Sequence, residues 1–224
     1  MNKIVIAIDG PAGAGKSTIS KIVASRLGIE YIDTGAMYRA VTLKAFRNSV
    51  GFLDKDALDR MLEKTTIEFR NRRIILDGED VSEEIRLPHI SQNVSEVSAV
   101  PEVRLRLIEL QRKMASCGGV IMDGRDIGTN VLKDAQLKIF LTASIEERAR
   151  RRYEELKEKG IDVSFEKICQ DIEARDKYDS SRKVNPLCKA EDAVLLDSTN
   201  MSIGQVVDEI VRMAEAVFGA YRFV

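Results

Sequence analysis

The chain of 224 residues has a single histidine, His89. Histidine-based catalysis and histidine metal centres are thereby nearly excluded. Cysteine is scarce as well: Cys117, Cys169 and Cys188 are odd in number, far apart and without metal-ligand spacing. This pattern excludes a disulfide framework and points to a reducing cytosol. No run of about 18 apolar residues exists, so nothing is expected to span a membrane. The N-terminal "IVIAI" is too short for the core of a secretion signal and meets Asp9 at once. A net charge of −1 gives no global basic field for nucleic acid, so any anion site must come from local clustering. Internal repeats and low-complexity stretches are missing too. What is present is 44% hydrophobic and 32% charged residues, enough for a core and a soluble surface. At this length that means one large domain, or one core with insertions.

Lys3–Asp9, "KIVIAID", is a continuous apolar run, as expected for a strand buried on both faces. Residues 30–33, 120–123, 137–143 and 193–198 read as four more short strands. Helical patterns separate them. One runs from Lys16 to a stop at Gly28; another, 101–116, opens with Pro101 at its first turn. "SIEE" at 144–147 and "SIGQ" at 202–205 are capping boxes opening two more helices. Such alternation predicts an α/β fold with a parallel sheet of about five strands flanked by helices. Two stretches break it. Residues 65–81 alternate around "NRR" and end in a "DGED" turn, which reads as a small antiparallel hairpin insertion. Residues 144–178 are almost all charged helix and look like a separate flap.

Between the first strand and first helix lies "GPAGAGKST", residues 10–18. Gly10-x4-Gly15-Lys16-Ser17 is a P-loop pattern. Its glycines let successive backbone N–H groups turn inward on a phosphate, and the helix dipole adds to the same field. The segment Gly10, Pro11, Ala12, Gly13, Ala14, Gly15, Lys16, Ser17 and Thr18 is therefore the candidate ATP-phosphate site. Lys16, expected to lie exposed, would reach the β- and γ-phosphates, and the Ser17 hydroxyl would bind Mg²⁺. A glycine turn with one lysine could also be a plain helix start. The buried strand before it and the amphipathic helix after it favour phosphate.

A P-loop does not say what receives the phosphate. The guanine-reading Asn-Lys-x-Asp is absent, which counts against a GTPase switch, and no helicase-type Asp-Glu strand end is seen. Arginines abound instead: Arg39, Arg104, Arg125, Arg148, Arg150, Arg151, Arg152, Arg175 and Arg182 all fall at strand ends, loops or the flap. Each alone reads as a solvated surface residue. Together with one loop lysine they suit phosphoryl transfer, which needs charge stabilisation more than acid–base chemistry.

"IAIDGPAGAGKST", "YIDTGAMYRAV", "LDGEDVSEEIR", "MDGRDIGT" and "RDKYDSSRKVNPL" together resemble the bacterial cytidylate kinases, in order and across nearly the whole chain. The resemblance implies a P-loop nucleoside monophosphate kinase that phosphorylates CMP and dCMP with Mg²⁺-ATP. It implies a P-loop core of 1–33, 99–143 and 179–224, an acceptor domain of 34–98 and a lid of 144–178. Thr34, Arg39, Arg125 and Arg182 would hold the acceptor phosphate, and Arg175 and Asp179 the sugar hydroxyls. Ser95, Arg104 and Asp126 would form the base pocket, a carboxylate suiting cytosine's amino group and the others its acceptors. Asp123 is either a carboxylate for a Mg²⁺-bound water or a helix cap, and Asp33 is a second candidate for that water. Adenine would lie near Asp197–Thr199. Cys188 has no assignable role. A soluble monomer with small-molecule substrates is expected, without nucleic acid or membrane partners.

Spacing selects among the flap arginines. Glu146 and Glu147 precede Arg150 and Arg151 by four residues, the favourable orientation for surface pairs, and Glu154 and Glu155 can pair from the other side. Arg148 and Arg152 have no glutamate four residues away and share one face. They are therefore expected to be unpaired and to act on the transferring phosphoryl group, beside Lys16 and Arg125.

Overall fold

The computed structural model describes residues 4–70, 72–158 and 160–221. Lys3, where the first strand is expected to start, and Asn71, in the expected hairpin tip, lie outside them. The chain divides into two compact units, 1–31 with 117–224, and 32–116.

The first unit carries the parallel sheet, apart from Ile32 and Asp33. Its strands are β1 (Val5–Asp9), β2 (Glu30–Asp33), β6 (Val120–Gly124), β7 (Leu137–Thr142) and β8 (Val194–Asp197), in the order β2-β6-β1-β7-β8. The expected five strands are all present. Strand β1 is central, parallel to both β6 and β7, with Ile6 opposite Ile121 and Leu137. Ile6, Ala7 and Ile8 are fully buried, which is why this strand reads as an unbroken apolar run. Helices α1 (Lys16–Leu27) and α8 (Ile203–Tyr221) pack together beside the sheet. Ile19, Val23, Val206, Val207 and Ile210 join the strand residues in one core. Gly28 ends α1 in a left-handed conformation, its N–H donating to the Ala24 carbonyl.

The expected flap is two antiparallel-paired helices, α6 (Ile145–Glu158) and α7 (Phe165–Ser181), around Ala149, Ile168 and Ile172. It belongs to the first unit rather than standing apart. The "SIEE" box is half formed. Ser144 Oγ accepts from Glu147 N, but Ser144 N donates to Thr199 Oγ1. The "SIGQ" box closes both ways: Ser202 N donates to Gln205 Oε1, and Gln205 N to Ser202 Oγ.

The second unit holds α2 (Thr34–Arg47), α3 (Lys55–Glu63), α4 (Pro88–Val97) and α5 (Pro101–Ala115). Its antiparallel sheet is β3 (Ile67–Arg70), β4 (Arg73–Leu76) and β5 (Glu79–Asp80). The expected hairpin thus gains a short third strand. Asp77 and Gly78, both with positive φ, make the two-residue turn that pairs Leu76 with Glu79. Residues 99–116, expected in the core, fall here, because α5 packs on α3 and α2.

Candidate active site

In the first unit, β1 runs straight into the glycine loop. At Gly10 a Cβ would lie 1.9 Å from the Leu141 carbonyl oxygen of β7, so the close backbone approach requires glycine. At Gly13, with φ 74°, a Cβ would meet Arg148 Cβ at 3.2 Å, so the loop lies directly against α6.

Lys16 opens α1 and is buried, which corrects the expectation of an exposed side chain. The loop curls around it, so Nζ donates to the carbonyls of Gly10 (2.7 Å) and Pro11 (2.8 Å). Burial, then the charge of Arg125, pushes the Lys16 ammonium well below the usual lysine range, while Asp123 and Asp9 pull it back up. Ser17 Oγ donates to Asp123 Oδ2 at 2.9 Å, and the Tyr31 hydroxyl to Asp123 Oδ1 at 2.7 Å. Asp123 lies inside β6 and faces the P-loop serine, so it is no helix cap.

Asp9 is the buried end of β1. Its two carboxylate oxygens accept from Ile127 N (2.8 Å) and Gly128 N (2.7 Å), fixing the loop after β6. Burial outweighs these bonds and raises its pKa to about 6. That loop carries Arg125 and Asp126. Asp126 is buried, precedes a short π-helical turn at Ile127–Val131 and accepts from Asn130 Nδ2.

Arginines gather around the end of α7. Arg125 Nε donates to Asp179 Oδ2 at 2.8 Å, and Arg182 Nη2 lies 3.6 Å from Asp179 Oδ1. Burial would raise the Asp179 pKa, but the charges of Arg125, Arg182 and Arg175 outweigh it and hold the carboxyl low. Arg125 and Arg175 also act on Lys16, so cluster and P-loop share one electrostatic neighbourhood.

The flap arginines depart from expectation. Arg148 is not unpaired. It is buried, with Nε on the Ala143 carbonyl (2.9 Å) and Nη1 on the Ala12 carbonyl (2.8 Å) and Asp176 Oδ2 (2.5 Å). Arg152 is exposed and pairs with Glu155, three residues on. Neighbours at three residues share a helix face as well as those at four. Arg150 binds Glu147 and Glu154, as a solvated surface pair should. Arg151 binds Glu147 and also reaches the loop after β8, through Ser198 Oγ (3.2 Å) and the Ser198 carbonyl (2.8 Å). A Cβ at Gly15 would lie 3.7 Å from its Nη1. The α6 arginines that meet the P-loop are thus Arg148 and Arg151.

In the second unit, Asp33 caps α2 by accepting from Ala36 N (2.8 Å) and lies 3.4 Å from Arg39 Nη2. It acts there as a cap and an arginine partner. Thr34 is buried at the first turn of α2. Arg39 Nε is buried and has no hydrogen-bond acceptor among the described residues. Arg104 on α5 is almost wholly enclosed, its Nη1 on the Ser98 carbonyl (3.1 Å) and its guanidinium 5.7 Å from the Tyr38 ring centroid. Ser95, half-buried on α4, accepts from Ser98 Oγ at its carbonyl, so Ser98 links the two candidates.

A family profile described as cytidylate kinase matches residues 6–216. The chain belongs to the cytidylate kinase family. The cytidylate kinase of Caldanaerobacter subterraneus subsp. tengcongensis is 56% identical over 92% of this chain and 92% of that one. That of Clostridium acetobutylicum is 56% identical over 94% and 97%. A solved structure titled as an uncharacterized protein from Eubacterium ventriosum shares the fold, with TM-score 0.50 and 17% identity, over 96% of this chain and 99% of that one.

The structure also places near the P-loop residues that sequence reasoning did not single out. Tyr31 of β2 donates to Asp123 of β6, and Asp9 at the end of β1 holds the loop after β6, positions where a hydroxyl or carboxylate on a strand is a usable signal. Asp176 carried a weaker signal, a carboxylate beside Arg175 in the "RDKYDSSR" segment.

Proposed function

We infer that the kinase transfers the γ-phosphoryl group of ATP to CMP and dCMP, giving CDP and dCDP. An oxygen of the acceptor phosphate attacks γ-phosphorus, the β–γ bridging bond breaks, and ADP leaves. The observation that supports this most is the gathering of Arg125, Arg175 and Arg182 around Asp179, with Arg125 hydrogen-bonded to it at 2.8 Å and both Arg125 and Arg175 acting on Lys16 of the P-loop. Guanidinium groups gathered beside a P-loop are charge-assisted donors of the kind phosphates take.

The P-loop amides and Lys16 would cradle the donor phosphates, with Arg148 and Arg125 stabilising charge on the transferring group. Thr34, Arg39, Arg125 and Arg182 would hold the acceptor phosphate. Arg39 Nε, a buried donor still seeking an acceptor, suits that role. Arg175 and Asp179 would meet the sugar, and Ser95, Arg104 and Asp126 the base. The Ser17 hydroxyl and the Asp123 carboxylate, 2.9 Å apart, are hard oxygen donors of the kind Mg²⁺ takes. No cluster of three or more ligating side chains exists among the described residues, which fits an ion that keeps most of its waters. Ser17 would hold it directly and Asp123 through water. When bound, the ion neutralises charge between the donor phosphates.

ADP release with a panel of nucleoside monophosphates tests the assignment. CMP and dCMP should be turned over well ahead of UMP, since a site built to accept from an amino group rejects a carbonyl. Equal turnover of UMP, or ADP release independent of acceptor, would overturn it.

A further inference from the structure

The first unit contains a ring of contacts that the reaction chemistry does not require. The Ala12 peptide is held on both sides. Its N–H donates to Asp176 Oδ1 at 3.1 Å, and its carbonyl accepts from Arg148 Nη1 at 2.8 Å. The same Nη1 donates to Asp176 Oδ2 at 2.5 Å, closing the ring. Arg148 belongs to α6 and Asp176 to α7, so both helices are fixed to one peptide of the P-loop. Apolar contact backs this up: a Cβ on Gly13 would meet Arg148 Cβ at 3.2 Å and Ile172 Cδ1 at 3.7 Å.

Helix α7 carries two working carboxylates one turn apart. Asp176 grips the P-loop. Asp179 holds Arg125 at 2.8 Å and Arg182 at 3.6 Å. Residues three apart on a helix share a face and move as one body. A displacement of the Ala12 peptide, such as donor phosphates would impose on their own loop, is therefore passed through Asp176 to the arginine cluster. Side chains that clamp rather than slide transmit such shifts as a choice between two positions.

We propose that Asp176 is a positioning residue that couples the two substrate sites, so that nucleotide in the P-loop tightens the grip of the α7 arginines on the acceptor phosphate. Asp176 touches neither reacting group. Coupling is reciprocal, so acceptor must tighten nucleotide by the same factor. The idea rests on the acceptor-phosphate roles of Arg125 and Arg182 given above, and its test separates from theirs.

Calorimetry of CMP binding, with and without saturating β,γ-imido-ATP and Mg²⁺, measures the coupling directly. In the unaltered kinase the analogue should strengthen CMP binding about tenfold, within the usual range for coupled sites. Asp176→Asn removes the charge pairing with Arg148 and Asp176→Ala removes the ring. Both should reduce the factor to about two or less while changing CMP affinity without analogue less than threefold. Asp176→Glu should restore part of it. A coupling factor unchanged in both Asn and Ala variants overturns the proposal. So does an equal loss of CMP affinity with and without the analogue, which marks a purely structural role, and so does an unaltered kinase with no coupling. Failure of the unaltered kinase to bind CMP at all would instead overturn the acceptor assignment.

Discussion

Two arginine–carboxylate networks in this chain are built alike and differ in burial. On the surface of the second unit, Arg47 of α2 holds Glu79 in a bidentate pair at 2.7 and 3.0 Å and also binds Glu84. One cation faces two carboxylates, all of them in water's reach. Inside the first unit, buried Asp179 faces Arg125, Arg182 and the field of Arg175. There a buried carboxylate faces arginines that are themselves largely enclosed, the side chain of Arg182 more so than that of Arg125. The surface network pins α2 to β5 and the turn after it. In the buried one, removing an arginine leaves a buried carboxylate short of a partner, which is costly. Burial, rather than the number of arginines, separates the two networks.

The largest test removes the buried cation of the P-loop. Lys16→Ala should lower kcat by roughly 10²–10³, or about 3–4 kcal/mol, with the circular-dichroism spectrum of the native fold retained. Turnover within a few-fold of the unaltered kinase at saturating Mg²⁺-ATP would sink the P-loop assignment. The next test sets the two networks side by side. Arg125→Ala should reduce kcat/KM for CMP roughly a hundredfold, as for truncation of a buried charge partner. Arg47→Ala should leave kcat/KM within twofold and cost less than about 1 kcal/mol of stability, since exposed pairs contribute little. Similar kinetic losses in both variants would erase the distinction.

Asp9 and Asp179 sharpen the comparison through pH. Both are buried, yet Asp9, with amide partners, is raised to about 6, while Asp179, ringed by arginines, is held low. The signs are opposite. Asp9 favours the folded state fully below about pH 4, and that contribution is lost as pH rises through 6. Asp179 favours the folded state above its ordinary value, and its contribution is lost as pH falls through its lowered one. Between pH 4 and 7 the Asp9 contribution should fall by up to about 3 kcal/mol, from the ordinary 3.8 to about 6. Urea unfolding of the unaltered kinase and of Asp9→Asn across this range measures the difference. Parallel pH profiles for the two proteins would exclude the shift.

Much of this was legible beforehand. All five sheet strands stand where short strand-like runs fall between helical patterns, and β1 and β6 read as unbroken apolar runs because they are buried on both faces. The P-loop was legible for a similar local reason: glycines at 13 and 15 take left-handed backbone shapes within the loop itself. The failures were partly local and partly tertiary: Arg152 pairs with Glu155 three residues on, where only spacings of four were read. Lys16 is buried because the loop's own carbonyls turn inward around it. Arg148 found its carboxylate on Asp176, 28 residues away on another helix, where no spacing rule looks. Helix α5 was assigned to the wrong unit because an amphipathic pattern names an apolar face without naming what covers it. The acceptor residues came from resemblance alone, since neither Ser95 nor Arg104 stands in a pattern that implies a base.

The smallest expected effect concerns α6 and reverses an inference from spacing. Arg151 and Arg152 are adjacent, and each pairs with a glutamate of its own helix. If helical pairing decided their worth, both would be surface residues of equal insignificance. Tertiary geometry separates them. Arg151 reaches Ser198 in the loop after β8 and lies beside Gly15, whereas Arg152 is exposed and pairs with Glu155. That loop follows the last strand, where the adenine of ATP is proposed to lie. Arg151→Ala should therefore raise KM for ATP about fivefold, near 1 kcal/mol, the net worth of the hydrogen bonds it makes. Arg152→Ala should leave kcat and both KM values within twofold, as an exposed pair does. The two variants, assayed at varied ATP with CMP saturating, give the answer as a ratio of KM values. A ratio near one, or a larger loss at 152, would return both arginines to the solvated face.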